Sequence, residues 1–104
     1  MFDDDDDDNG EKFLKEDLEQ FESYLKGVQI GFMDSDRIEA IIDHYLVNGN
    51  FSKAKVAAEY ALVHFSYNYL FHLRKAQALG GLGKLNEALE ITDSIENFGM
   101  LSFE

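Results

Sequence analysis

Residues 44–55, HYLVNGNFSKAK, have a pattern that recurs 34 residues later in residues 78–89, ALGGLGKLNEAL. Under this shift Gly49 aligns with Gly83, and Ala54 aligns with Ala88. Three further pairs of residues align in the same register: Ile42 with Ala76, Tyr45 with Leu79, and Phe51 with Leu85. A fixed period of this length predicts stacked copies of one supersecondary unit.

Apolar residues recur at steps of three and four along most of the chain, a pattern that predicts amphipathic helices. The first helix is predicted over residues 11–26 and ends before Gly27. Asp36 and Glu39 match a capping box at the start of a second helix. Proline, the commonest helix breaker, is absent. The predicted buried positions of the second and third helices are Ile38, Ile41, Ile42, Tyr45, Leu46, Phe51, Ala54, Ala57, Ala58, Ala61, Leu62 and Phe65.

Two asparagines and one loop complete the predicted local structure. Asn50 and Asn68 are predicted to cap the third and fourth helices, because asparagine side chains accept hydrogen bonds from free amides there. Residues 27–36, GVQIGFMDSD, are predicted to form a loop between the first two helices. The loop is expected to bury Ile30, Phe32 and Met33.

The 34-residue period, the glycine between paired helices and the alanine five residues after it resemble the tetratricopeptide repeat family. The resemblance assigns residues 35–68 to a first repeat and residues 69–102 to a second, about two thirds of the chain. It implies an all-α fold of antiparallel helix-turn-helix pairs, stacked as a right-handed superhelix with about five helices in total. Residues 11–26 are interpreted as a capping helix or half-repeat.

The alternative to a repeat fold is an ordinary helical bundle in which two helix pairs share a spacing. Ile38 and His72 stand where the family usually has tryptophan, and Ser66 and Met100 stand where it has proline. Both interpretations predict an all-helical chain.

Composition predicts one domain with an acidic character. The chain has 104 residues, of which 45% are hydrophobic, and a formal charge of −12. Such a charge repels phosphate backbones and anionic lipids, so nucleic-acid and membrane partners are disfavoured. The predicted organisation is a disordered acidic tail over residues 1–10 and a single helical domain over residues 11–104. With no cysteine, no signal peptide and no apolar run long enough for a membrane span, a cytoplasmic location is predicted.

The acidic N-terminal stretch also matches the spacing of a calcium-binding loop. The matching residues are Asp5, Asp7, Asn9, Gly10 and Glu16. Such a loop needs a helix on each side, and only residues 1–4 precede it. The six aspartates Asp3 to Asp8 would satisfy many spaced-aspartate patterns, so a charged tail is favoured over a calcium site.

The family resemblance implies a non-catalytic function, the binding of a protein or peptide segment in a concave groove lined by the first helix of each repeat. The implied groove residues are Asp36, Glu39, Asp43, Leu70, Leu73, Arg74 and Gln77. Charge complementarity favours a partner segment with lysine or arginine beside an apolar anchor. A solvated acidic helix face is an equally simple interpretation of the three acidic residues.

The C-terminal residues predict an apolar edge. Ile95, Phe98, Met100, Leu101 and Phe103 form an apolar tail with no polar cap. We therefore expect either that the chain is the N-terminal part of a longer repeat array or that it forms a homodimer through this edge.

No catalytic site, metal site or cofactor is predicted. The serines have no strand-turn-helix elbow around them, and His44, His64 and His72 lack metal-ligand spacing. The glycines of residues 79–84, LGGLGK, follow a helix and lack the ending of a phosphate loop. The alternative function is an acidic decoy that mimics DNA or binds a basic protein by charge, with Asp3 to Asp8 as part of its surface.

Overall fold

The computed structural model describes the backbone of residues 4–97 and the side chains of residues 13–95. The described chain contains five helices: α1 (Asp4–Leu25), α2 (Ser35–Val47), α3 (Phe51–His64), α4 (Tyr69–Gly81) and α5 (Leu85–Asn97). No strand occurs within residues 4–97, so the predicted all-helical class is confirmed. In the same part of the chain, every helix is too short or too polar to cross a bilayer.

Helix α1 begins earlier than predicted. It starts at Asp4, whereas the sequence pattern placed its start at Glu11. Aspartates in a first turn favour the helix, because its N-terminus has a partial positive charge. The disordered tail predicted over residues 1–10 is therefore not confirmed, and residues 1–3 lie outside the described part of the chain.

The calcium-loop template falls inside α1. Its positions span residues 5–16, and the backbone of these residues is continuous helix. A calcium-binding loop instead wraps non-helical backbone around the ion between two helices. The side chains of residues 5–12 lie outside the described part, so the observation against a calcium loop is the helical backbone.

The two helix pairs begin 34 residues apart. Helices α2 and α4 start at Ser35 and Tyr69, and α3 and α5 start at Phe51 and Leu85. The turns inside the two pairs have glycines in the left-handed conformation, and their φ angles are 75° at Gly49 and 83° at Gly83. Glycine adopts this conformation without the steric penalty of a β-carbon, so both turns depend on it.

The helix caps agree with the sequence prediction at Asn68 and differ from it at α2, while Asn50 lies at the predicted cap of α3 but its side chain makes no capping hydrogen bond. The side chain of Asn68 accepts a hydrogen bond from the Leu70 amide at 3.0 Å, as expected for a cap of α4. At α2, however, the cap is Asp34, whose Oδ1 accepts from the Arg37 amide at 3.0 Å. The predicted capping box of Asp36 and Glu39 is wrong, because Asp36 already lies in the first turn.

The hydrophobic core follows the predicted stripes of α2 and α3. Small side chains on α3 allow α2 and α4 to approach its axis closely. The buried core residues of this cluster are Phe21, Met33, Ile38, Ile41, Ile42, Tyr45, Ala54, Ala57, Ala58, Tyr60, Ala61, Phe71 and Ala78.

The loop before α2 buries only part of its predicted apolar set. Met33 is fully buried and Ile30 is half-buried, but Phe32 is 67% exposed. The prediction for Phe32 is wrong, because its ring packs from one side only. That side faces the rings of His64 and Phe65 at the end of α3, with centroid distances of 6.1 and 6.0 Å.

Helix packing follows the order of the chain. Helix α2 contacts α1, α3 and α4, helix α3 also contacts α4, and α4 contacts α5. At the C-terminal edge, Ile95 is buried. The other residues of the predicted apolar edge, Phe98, Met100, Leu101 and Phe103, lie outside the described part.

Candidate functional site

Arg74 on α4 contacts two other predicted groove residues. Its Nε donates to Oδ1 of Asp43 on α2 at 2.8 Å, and its Nη2 donates to Oε2 of Glu39 at 3.5 Å. Glu39 and Asp43 are four residues apart and therefore lie on the same side of α2. The first helices of the two pairs are thus connected by one guanidinium that contacts two carboxylates.

The remaining predicted residues extend this surface along both helices. Asp36 is exposed in the first turn of α2, one turn before Glu39. On α4, Leu70, Leu73, Arg74 and Gln77 follow the spacing of one helix face. Leu70 and Leu73 are half-buried and Gln77 is exposed. We call these residues with Asp36, Glu39 and Asp43 the α2–α4 surface.

The charge of the α2–α4 surface is lower than its acidic residues alone suggest. It has three carboxylates and the single guanidinium of Arg74, so its formal charge is −2. Arg74 is half-buried and is already bound to Glu39 and Asp43. An incoming cation would therefore compete with Arg74 at these two residues and would meet less competition at Asp36.

A shallow hollow continues from this surface toward α5. It lies between α4 and α5 and is lined by Leu73, Arg74, Ala76, Gln77, Ala88, Leu89 and Thr92. Leu89 is 60% exposed. Leu73, Arg74 and Gln77 are among the predicted groove residues, but that residues of α5 adjoin them was not predicted.

A partly buried ion pair, which was not predicted from the sequence, attaches α1 to α2. The carboxylate of Asp17, which is 6% exposed, accepts from Nε of Arg37 at 3.1 Å with both oxygens. This hydrogen bonding raises the pKa of Arg37 above its ordinary value. A signal was present, since Asp17 lies on the same helix face as Leu14, Leu18 and Phe21.

Glu22 makes a second polar connection, between α1 and the first helix pair. Its Oε2 accepts from the Tyr45 hydroxyl at 2.6 Å and from Nζ of Lys53 at 2.9 Å. The hydrogen bonds from Lys53 and then Tyr45 lower the pKa of Glu22. Burial and the hydrogen bond to Glu22 raise the pKa of Tyr45. Sequence spacing could not predict these contacts, because three different helices supply the residues.

An aromatic cleft lies beside the loop that precedes α2. Tyr24, Tyr60 and His64 line it together with loop residues 27–32. The rings of Tyr24 and Tyr60 meet edge to face with centroids 4.8 Å apart. Burial, followed by the nearby Tyr24, raises the pKa of Tyr60. The contact between Tyr24 and Tyr60 joins α1 to α3 beside this loop.

No group of three histidine, aspartate or glutamate side chains lies close enough to hold a metal ion among the residues that the structure describes. His72 instead places Nε2 2.9 Å from the carbonyl oxygen of Ser66, where it helps to hold the turn before α4. No family model, curated protein or solved structure matches this chain.

Proposed function

We propose that this protein is a non-catalytic module that binds a protein or peptide segment, built as a right-handed tetratricopeptide-type array and acting in the cytoplasm. The 34-residue spacing of the helix starts and the left-handed glycines at Gly49 and Gly83 support the repeat interpretation. The contacts of α2 with both α3 and α4 also support it, because the first helices of stacked pairs are neighbours in such an array.

The observation that supports the binding surface best is the contact of Arg74 with Glu39 and Asp43. It brings the first helices of the two pairs together and forms a continuous surface with acidic residues on α2 and apolar residues on α4. A partner segment with a lysine or arginine near Asp36 and an apolar anchor near Leu70 and Leu73 would complement this surface. Electrostatic complementarity of this kind governs selectivity and association rate more than total affinity.

The proposal is tested by affinity capture from a lysate of the source cells, with a charge reversal at the surface. Glu39→Lys/Asp43→Lys should abolish capture of a specific partner. The matched control is Glu87→Lys/Glu90→Lys on α5, which changes the net charge by the same amount at exposed positions. Because Glu39 and Asp43 bind Arg74, thermal unfolding of each variant must first show that it is folded.

A version lacking residues 1–9 separates the two functional classes. A groove binder retains its partner without the aspartate run, and its binding depends little on total charge. If the partner is lost with residues 1–9, or is lost equally in both charge-reversed variants, the acidic decoy is the better description. Capture that survives the reversal at Glu39 and Asp43 contradicts the groove proposal.

A further inference from the structure

Helix α4 is an example, within this chain, of a helix bound to the outer face of a helix pair. It lies on the face formed by α2 and α3, where the ring of Phe51 packs against Gly81. At the rim of the same contact, Nζ of Lys75 lies 3.5 Å from Oε2 of Glu59. The bound helix therefore combines a glycine for close approach with a lysine opposite a carboxylate.

Within residues 4–97, no helix packs on the corresponding face of the second pair. A shift of 34 residues converts Phe51 to Leu85 and Glu59 to Asp93. Phe51 is half-buried under α4, whereas Leu85 is 63% exposed and the neighbouring Leu89 is 60% exposed. We call the surface formed by Leu85, Asp93 and five residues of the adjoining hollow the α4–α5 face. Its residues are Leu73, Gln77, Leu85, Ala88, Leu89, Thr92 and Asp93.

The α4–α5 face differs in charge from the face of α2 and α3 that α4 covers. Glu39 and Asp43, which hold Arg74 on the first pair, correspond to Leu73 and Gln77 on the second. An arginine on a docking helix would find no carboxylate at these two positions. A helix that docks on this face therefore needs an apolar residue at the position that corresponds to Arg74 of α4. It needs a cation only opposite Asp93.

We propose that the α4–α5 face binds an amphipathic helix of a partner protein. This helix has glycine or alanine against Leu85, an apolar residue against Leu73 and a lysine or arginine against Asp93. Leu73 and Gln77 also belong to the α2–α4 surface, but Leu85, Leu89 and Asp93 do not. The two proposals can therefore fail separately.

The distribution of charge favours a helix of a different protein as the occupant of the α4–α5 face. Helix α4 alone among α1 to α5 contains no aspartate or glutamate, and it is already packed between α3 and α5. The acidic residue of the α4–α5 face is Asp93, so two copies joined through this face would bring these like charges into one interface. The formal charge of −12 further opposes self-association.

A peptide copy of α4 is the probe. It comprises residues 66–84 with Arg74→Leu to match Leu73, and a fluorescent label reports binding to the full chain by anisotropy. We expect a dissociation constant on the order of 100 µM or tighter, since a short helix must fold as it binds. The variant Leu85→Gln/Leu89→Gln should weaken binding at least about tenfold, because the leucines would no longer be buried by the peptide. Both positions are exposed in α5, so this variant should fold.

The charge contact is tested by a swap. Asp93→Lys should weaken binding about threefold to tenfold, and the peptide variant Lys75→Glu should restore it on that chain. Glu87→Lys, with the same change of net charge outside the face, should leave binding within about twofold. Glu39→Lys/Asp43→Lys should also leave it unchanged, which separates this face from the α2–α4 surface.

Four results would overturn the proposal. The first is no binding at about 1 mM peptide, a concentration well above the dissociation constant expected for a helix-sized contact. The second is binding that is unaffected by Leu85→Gln/Leu89→Gln, which would indicate that the peptide replaces α4 on the first pair. The third is an equal effect of Asp93→Lys and Glu87→Lys. The fourth is a homodimer in sedimentation that Leu85→Gln/Leu89→Gln dissociates, which would make a second copy the occupant.

Discussion

The ring of Phe51 at the start of α3 lies against the α-carbon of Gly81 at the end of α4. A β-carbon placed on Gly81 would fall within 3.0 Å of three carbons of that ring, closer than real β-carbons come to other atoms. Helix α4 therefore approaches α3 as closely as a residue without a side chain allows. This contact connects the two helix pairs and sets how closely they stack.

Gly81→Ala should lower the free energy of unfolding by about 1–3 kcal/mol, because the added methyl group displaces the Phe51 ring from a close-packed position. Urea unfolding followed by circular dichroism measures the change. Gly80→Ala is the matched control, since nothing lies within 4 Å of its added β-carbon. There, alanine should leave stability unchanged or raise it by up to about 1 kcal/mol, as expected in a helix. Equal stability of the two variants would contradict the contact.

A double substitution checks that the two residues act through each other. Phe51→Ala alone should destabilise the chain, because it removes a half-buried ring. On that background, Gly81→Ala should cost less than about 0.5 kcal/mol, since the methyl group no longer meets the ring. A full additional loss would indicate that Gly81 is needed for another reason.

Arg37→Gln should destabilise the attachment of α1 by about 1–3 kcal/mol, because it leaves the buried carboxylate of Asp17 without its cation. The lower part of this range is expected, since the Arg37 side chain is 44% exposed. Lys15→Gln removes the same charge from an exposed position of α1 and should change little. Chemical unfolding gives both values.

The double variant Asp17→Asn/Arg37→Gln should recover part of the loss, because no unpaired charge then remains buried. If it is less stable than Arg37→Gln alone, the ion pair does not account for the effect.

Glu22 should make the chain sensitive to mild acid. Its folded-state pKa is lowered by the hydrogen bonds from Lys53 and Tyr45. Folding therefore favours the charged carboxylate, and this stabilisation is complete above the ordinary pKa of 4.5 and is lost as the pH falls through the lowered value. Glu22→Gln should cost about 1 kcal/mol at pH 7, a modest figure because the side chain is partly exposed.

The difference in Tm between the native chain and Glu22→Gln should shrink as the pH is lowered from 6 toward 3. Glu19→Gln, an exposed position on the same helix, serves as the control and should show little difference at any pH in this range. A Tm difference that stays constant on acidification would show that Glu22 stabilises the fold through packing and not through its charge.

Arg74→Gln should lower the free energy of unfolding by about 0.5–1.5 kcal/mol, because Arg74 supplies the charged hydrogen bonds between α2 and α4. The exchange Asp43→Arg/Arg74→Asp retains one cation and one carboxylate at the contact and should be more stable than Asp43→Arg alone. A double-mutant cycle measures the coupling between the two residues. It compares the chemical unfolding of the native chain, Asp43→Arg, Arg74→Asp and the double variant. A coupling energy near zero would mean that solvent screens the pair completely.

Much of the local structure could be predicted from residue spacing. The stripe of Ile38, Ile41, Ile42 and Tyr45 defined a helix and its buried side, because only one face of a helix can meet the core. The need for glycine at Gly49 also follows from local geometry. The helix start at Asp4 was not predicted, because a run of like charges disfavours a helix. The first turn of a helix, however, favours aspartate.

Residue spacing was therefore enough to predict the helical class, the phase of the buried stripes and the 34-residue spacing of the two pairs, since each can be inferred from local patterns in the chain. Which charged side chains contact each other depends instead on how the helices pack in three dimensions. Asp17 pairs with Arg37, and Arg74 pairs with Asp43, because the helices that carry them cross at particular positions and angles. Those crossings arise from the packing of whole helix faces, such as the close approach at Gly81, and no local pattern encodes them.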